Sequence, residues 1–555
     1  MRSPLAVLAA ASIAAACSSK EAPQSSAATG GTMIYAASAD ATDVFPPYVG
    51  DQTGRVVQDL VFERLAEIGQ DLATVGDKGF TPLLAKSWTW APDSLSIAFS
   101  LDPRARWHDG KPVTARDVRY SFNVFTDPKV GSPIAPLLAN LDSVSVRDSS
   151  TAVVWFKRHT PEQFYDVAYQ LIIMPEHVYG AIPPEQLRTS EVTRKPIGSG
   201  RFRFQRWDAG TRLELIADTA NYHGRAKLDR VIITPVSTPT AAAQLLSGQA
   251  DFMDAFPMDQ IRTLDSSAVA RPILLPQPAY VFLGMNQFDP KATKRPHPIF
   301  SDSRVRRAIS MAVDRVAMLH NVFGDKGRLA HGPFPMILAG ADSTLRVPPF
   351  DAAWAKALLD SAGWRVGENG VRAKYGRPLR FGLLIASTSL PRLQYGVLVQ
   401  SQLRKVGVQV DLDQLDGKTM GTRMQAYDFD AAMIAYHTDP GLSGSKQLWS
   451  TAGIGAAGQN TLRYSNHVVD ALLDSATSSF DAAKAKAYAS RAFQTIIDDA
   501  PAIWLYDYLV VPAVNRRLAT APLRADEWWA NLADWSIPPD KRIDRDRIGL
   551  TPAKR

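Results

Sequence analysis

The chain has 555 residues, 46% of them apolar, which excludes a disordered or fibrous protein and exceeds what one hydrophobic core supports, so at least two lobes are expected. Its formal net charge is +7, but residues 541–555 supply +4 of it through six Lys or Arg against two Asp, leaving a near-neutral body. No folded element carries a basic stripe, which argues against nucleic-acid binding and makes the basic tail a solvated end. A single cysteine, Cys17, excludes an internal disulfide and a Cys-based zinc cage.

In chain order, Arg2 precedes an apolar run from Leu5 to Ala16, followed by Cys17 and a polar stretch beginning Ser18-Ser19-Lys20-Glu21. This is an n-region, an h-region and a small-residue cleavage site, and the run is too short to remain as a membrane-spanning helix. A cysteine after small residues resembles the bacterial lipoprotein signal, although Ala14 stands where that signal usually has leucine. The resemblance implies that Cys17 is acylated and becomes the first mature residue; an ordinary secretory signal is the alternative. Residues 18–32 are rich in Ser, Ala and Gly and read as a flexible tether.

Met33 to Ser38 reads as a strand. Leu95, Ile97, Phe99 and Leu101 alternate with small residues, and Trp88 and Trp90 extend the pattern across a turn, so Trp88 to Leu101 reads as a hairpin. Thr114 with Asp117 predicts a capping box opening a helix through Val118, Phe122 and Phe125. Val231 to Val236 is a buried-strand candidate, followed by a helix capped by Thr238, with Pro239 in its first turn and Gly248 at its end. Ser301 or Asp302 opens a helix with Val305, Ala308, Ile309, Ala312, Val316 and Leu319 on one face, ending near Gly324. Trp354, Ala357 and Leu358 begin another that stops at Gly363. Val399, Leu403 and Val406 predict a helix that passes through Gly407 into a strand bearing Val408, Val410 and Leu412. Helices feeding strands favour an α/β protein with partly parallel sheets.

Motifs of catalysis are absent. The nine histidines form no H-E-x-x-H, no P-loop occurs, and neither Gly198-Ser199-Gly200 nor Gly441-Leu442-Ser443-Gly444 fits a nucleophile elbow. His108 and Asp109 are adjacent and precede Gly110, so they read as a turn rather than as two members of a triad. No enzyme, cofactor or metal site is expected.

Longer blocks are more specific. Thr81-Pro82-Leu83-Leu84-Ala85-Lys86-Ser87-Trp88, then Phe99-Ser100-Leu101-Asp102, then the run from Arg106-Trp107-His108-Asp109-Gly110-Lys111-Pro112 to Val118, resemble the signature of extracellular solute-binding protein family 5. Pro196-Ile197-Gly198-Ser199-Gly200-Arg201-Phe202 continues the series with departures at Ser199 and Arg201. Arg304 to Ala308 with Asp314-Arg315, Asp360 to Trp364, Tyr464-Ser465-Asn466 and Asp499-Ala500-Pro501 extend it, so that the resemblance covers roughly residues 32–512.

The resemblance implies an α/β, two-lobed periplasmic-binding-protein type II fold of the large peptide-binder kind, with an inserted domain and a hinge. Lobe I is placed at 33–75, 192–283 and 503–555, the insert at 76–191 and lobe II at 284–502. It further implies an exported monomer, membrane-anchored through Cys17, that captures a di- or oligopeptide between its lobes and delivers it to ABC permease subunits driven by cytoplasmic ATPases. In peptide-binding members an aspartate three positions after an aromatic residue receives the ligand's α-ammonium; Tyr436-His437-Thr438-Asp439 matches that spacing, making Asp439 the anchor and Tyr436 a pocket wall. The competing reading is a turn at Asp439-Pro440. Asp40 and Ala41 after the first strand, and Asn286 on the facing lobe, are placed beside the ligand backbone. The same importer role for a metal chelate or sugar, a secreted hydrolase and a structural lipoprotein stay open as alternatives.

Overall fold

The computed structural model describes residues 29–547 except 293, 456 and 457, with the side chain of Asp259 also left out. The signal segment, Cys17 and most of the tether lie outside the described residues. Two sheets dominate. One has seven strands in the spatial order Ala270–Pro272, Ala513–Asn515, Phe252–Met253, Thr32–Ala37, Arg230–Pro235, Arg212–Ala217 and Phe202–Asp208. Thr32–Ala37 lies parallel to both of its neighbours, and the outer pairings are antiparallel. The other has five strands in the order Gln409–Leu415, Arg380–Ala386, Ala431–His437, Leu275–Met285 and Ala502–Val510. The fold is two-lobed α/β, each lobe built on one of these sheets.

Helix Leu390–Arg404 links Arg380–Ala386 to its parallel neighbour Gln409–Leu415, the crossover that Val399, Leu403, Val406 and Gly407 predict. The predicted hairpin forms as Ala85–Trp90 and Ser96–Leu101 within a separate antiparallel four-stranded sheet, completed by Leu141–Asp148 and Thr151–Phe156. Helix Ala115–Thr126 packs on that sheet. The Asp117 carboxylate accepts from the Thr114 backbone N–H (2.7 Å) and hydroxyl (2.9 Å), and its other oxygen accepts from the Glu176 N–H (2.8 Å), so the cap also pins a second helix.

Lobe I is sewn together by buried charge. The Arg517 guanidinium donates to Asp251 (2.6 and 3.0 Å), to Asp546 (2.7 Å) and to the Thr32 carbonyl (2.9 Å). Asp251 and Asp546 in turn accept from the Ile34 and Thr32 N–H groups. Three segments far apart in sequence thus share one ionic knot, and Arg545 adds a further bond to Asp251.

Several sequence expectations need correction. The start of the basic tail is not a solvated end: Asp546 is buried, and Arg542 and Arg545 bond back to the first sheet's segments. Ser237, not Thr238, caps helix Thr238–Leu246. The single helix expected up to Gly324 breaks into Ser303–Met311 and Arg315–Phe323, because Asp314 caps the second through the Ala317 N–H and leaves Val316 exposed. In helix Ala352–Ser361 the buried residues are Ala355 and Leu359, while Trp354 is 56% exposed. The chain passes between the large sheets near residues 273–275 and 510–512, whereas the sequence places the passages near 283 and 502.

Removing one partner from a buried ion network leaves its counter-charges uncompensated, at about 3–5 kcal/mol. Arg517→Ala is expected to lower unfolding free energy by that amount in a urea titration; a loss below about 1 kcal/mol contradicts the knot's role.

Candidate functional site

The two lobes face each other across a cleft of three joined cavities. The first, about 340 Å³, is lined by Arg55, Gln58 and Arg64 of lobe I, by Tyr165 and Tyr169, and by the 437–440 loop of lobe II. The second, about 320 Å³, shares Arg55, Gln277 and Asp526 with it. The third, about 510 Å³, adjoins the second at Ala255 and Val510. Each lies within or near the range of small-molecule sites, and together they offer an elongated groove.

The cleft floor follows from an interruption in the pairing of the two strands that join the lobes. Leu275 and Pro276 pair with Val510 and Leu509, and pairing resumes only at Tyr280 with Asp507. Between these pairs Gln277, Pro278 and Ala279 face only Tyr508, and Pro276 and Pro278 have no N–H to donate to any neighbour. Gln277 and Pro278 bulge into the cleft lining, and the Pro278 carbonyl accepts from the Thr438 N–H at 2.9 Å. That bond seats the loop carrying Asp439.

Asp439 lines the first cavity, and among the described residues no hydrogen bond reaches its carboxylate. Its surroundings withdraw it from water and hold its pKa above the ordinary aspartate range, with the charge of Arg55 acting in the opposite direction. The residue keeps an exposed surface and shares its cavity with Arg55 and Tyr165.

Below it lies a second ionic network. Arg64 bonds to Asp59 (3.0 Å) and Glu527 (3.1 Å), and Arg524 to Glu67 (2.5 Å), Asp526 (2.6 Å) and Glu527 (2.9 Å). Tyr169 donates its hydroxyl to Asp526 at 2.9 Å and accepts from Arg524 at 2.8 Å. Four carboxylates thus surround two guanidiniums, and burial pushes Glu527 up to about 8.

The other residues singled out from sequence do different work. Tyr436 is buried on strand Ala431–His437, donates to the Gly444 carbonyl at 2.9 Å and packs edge-on against Tyr280. Asn286 is fully buried, its amide donating to the Tyr427 and Phe429 carbonyls and its oxygen accepting from the Phe288 N–H. Asp40 accepts from the Trp207 indole and the Gly210 N–H, fastening the hairpin between the last two strands of the first sheet. Ala41 is buried beside it. None of these four lines the three cavities. Cys17 lies outside the described residues.

His108 and Asp109 diverge as adjacent residues in a turn should. The His108 ring accepts from the Gly198 N–H (3.2 Å) and donates to the Gly200 carbonyl (2.9 Å), and burial pushes its pKa down to about 4. Asp109 instead meets His177 at 2.7 Å. The glycines of this loop are dictated by contact: a Cβ on Gly198 would stand 1.8 Å from the Val61 carbonyl oxygen. No nucleophile is assembled here.

Sequence reading missed Arg55, Asp526 and Glu527. The signal available was the run Asp526-Glu527-Trp528-Trp529, two acids beside two large aromatics late in the chain. Among the described residues no group of three or more His, Cys, Asp or Glu is placed to hold a metal ion, and no helix is long and apolar enough to cross a membrane.

The chain is similar over 515 residues, at 25% identity, to the oligopeptide-binding protein AppA of Bacillus subtilis, covering 90% of this chain and 92% of that one. A putative ABC transporter peptide-binding protein of Brucella ovis is 28% identical over 412 residues, 72% of this chain and 74% of its own. The solved structure of Bacillus subtilis AppA in complex with a nonapeptide superposes with a TM-score of 0.69 at 24% identity, covering 92% of this chain and 99% of that one, and shows the shared fold. Residues 79–457 match the middle region of the bacterial extracellular solute-binding proteins, family 5, and the chain belongs to that family.

Proposed function

We propose that this protein is the substrate-binding component of an ABC importer, an exported monomer held to the membrane through Cys17, which takes a peptide into the interlobe cleft by its α-ammonium. Asp439 carries the reading: a carboxylate without a hydrogen-bond partner among the described residues, set in a cavity lined by both lobes. A buried ammonium requires a compensating charge, and Asp439 supplies it. The relatives named as peptide-binding support the ligand class, and the groove's length suits a ligand longer than a single amino acid. Lobe closure about the two crossing strands encloses the ligand for delivery to the permease.

The anchor is tested by a cycle of variant and ligand. Asp439→Ala is expected to cost roughly 2–5 kcal/mol of peptide affinity in calorimetric titration. N-terminal acetylation should cost the wild type a similar amount and the variant little; equal acetylation losses in both contradict the assignment. Because Asp439 must be ionised to hold an ammonium and its pKa lies above the ordinary value of about 3.9, affinity should fall as pH is lowered, beginning above the normal carboxylate range. Loss of the Asn286 amide serves as the contrast. Asn286→Ala leaves buried carbonyls unsatisfied and should cost about 1–3 kcal/mol of stability with peptide affinity unchanged; a selective loss of affinity instead assigns it to the ligand.

A further inference from the structure

The third cavity, about 510 Å³, lies at the end of the groove away from Asp439, between Ala255, Phe256 and Met258 of lobe I and the helix Leu390–Arg404 and strand Ala502–Val510 of lobe II. Asp507 belongs to its lining. That residue is 3% exposed, yet among the described residues neither carboxylate oxygen has a hydrogen-bond partner. Its backbone N–H donates to the Arg328 carbonyl at 2.9 Å, so the unpaired groups are those of the side chain.

An ionised carboxylate has about four acceptor sites, and buried polar atoms in folded proteins are almost always paired. Burial drives the Asp507 carboxyl up to about 7, with the Arg328 guanidinium acting against that rise without bonding to it. Arg392, in the same lining, acts on Tyr506 and His437 instead. Around the acid the cavity presents apolar and aromatic surface from Phe256, Met258, Phe323, Tyr506 and Tyr508, with Ser389, Arg392 and Gln394 as its polar share. A charged acceptor beside apolar walls matches a cationic head on an aliphatic stem.

We propose that this cavity is a subsite for a basic side chain of the ligand, lysine or arginine, with Asp507 as its counter-charge. The proposal rests on the peptide reading above and narrows it: the cargo is a peptide long enough to reach past the second cavity, with a cation away from its N-terminus.

The test uses pentaalanine carrying lysine, or norleucine in its place, at each of positions two to five, titrated calorimetrically into the wild type and into Asp507→Asn. Norleucine keeps the stem and removes the ammonium. At one position the lysine peptide should bind at least tenfold more tightly to the wild type, and the ratio should fall to within twofold in the Asn variant while its norleucine affinity is kept. Ratios near one at every position in the wild type, or a preference that survives Asp507→Asn, overturn the subsite. If the variant fails to fold in a thermal melt, the wild-type ratios decide alone. Peptides that bind without regard to charge reject only this subsite, whereas no binding by either series rejects the peptide reading and the subsite with it.

Discussion

The cleft depends on one interrupted pairing between the two strands that join the lobes. Leu275–Met285 and Ala502–Val510 run antiparallel as neighbours in the second sheet and emerge together toward the first. Had they paired without a break, the boundary between lobes would be a closed ladder. Instead three residues of one strand, Gln277 to Ala279, face one of the other, Tyr508, and the freed segment becomes floor. Pro278 then fixes the loop of Asp439 through its carbonyl, and the first residue to pair again on the far strand is Asp507. Both carboxylates proposed to meet the ligand lie beside the same irregularity.

Around that irregularity the molecule treats charge in two ways. Arg517, Asp251 and Asp546 form a knot in which the buried groups are paired with each other and with the backbone, and Tyr169 is held by a comparable set around Arg64 and Arg524. Buried ions of this kind are held because each has its complement. Asp439 and Asp507 differ in having none among the described residues. A carboxylate withdrawn from water without a donor is costly on its own and favourable once a cation arrives, which is how a binding site differs from a structural one.

Much of the secondary structure was legible because its causes are local. The alternation from Leu95 to Leu101, the capping box at Thr114 and the step from Val406 through Gly407 into a strand all appear where the residues place them. Errors arose where a side chain had two possible tasks. Asp314 could extend a helix or cap the next one, and it caps. Trp354 could face a core or water, and the neighbouring Ala355 and Leu359 take the core. The site was less legible because its parts are remote: Arg55, Asp439 and Asp526 meet only after folding, and no spacing links them. Asp40 and Asn286 were placed near a ligand from their position after or within core strands, yet their hydrogen bonds are spent inside the protein.

Whether this cleft holds peptide is most directly answered by native mass spectrometry of the purified protein before and after mild denaturation. The account predicts released species forming a ladder of short peptides, displaced by excess added peptide. A single non-peptide mass that added peptide does not displace would keep the family and the cleft but contradict the ligand assigned to it.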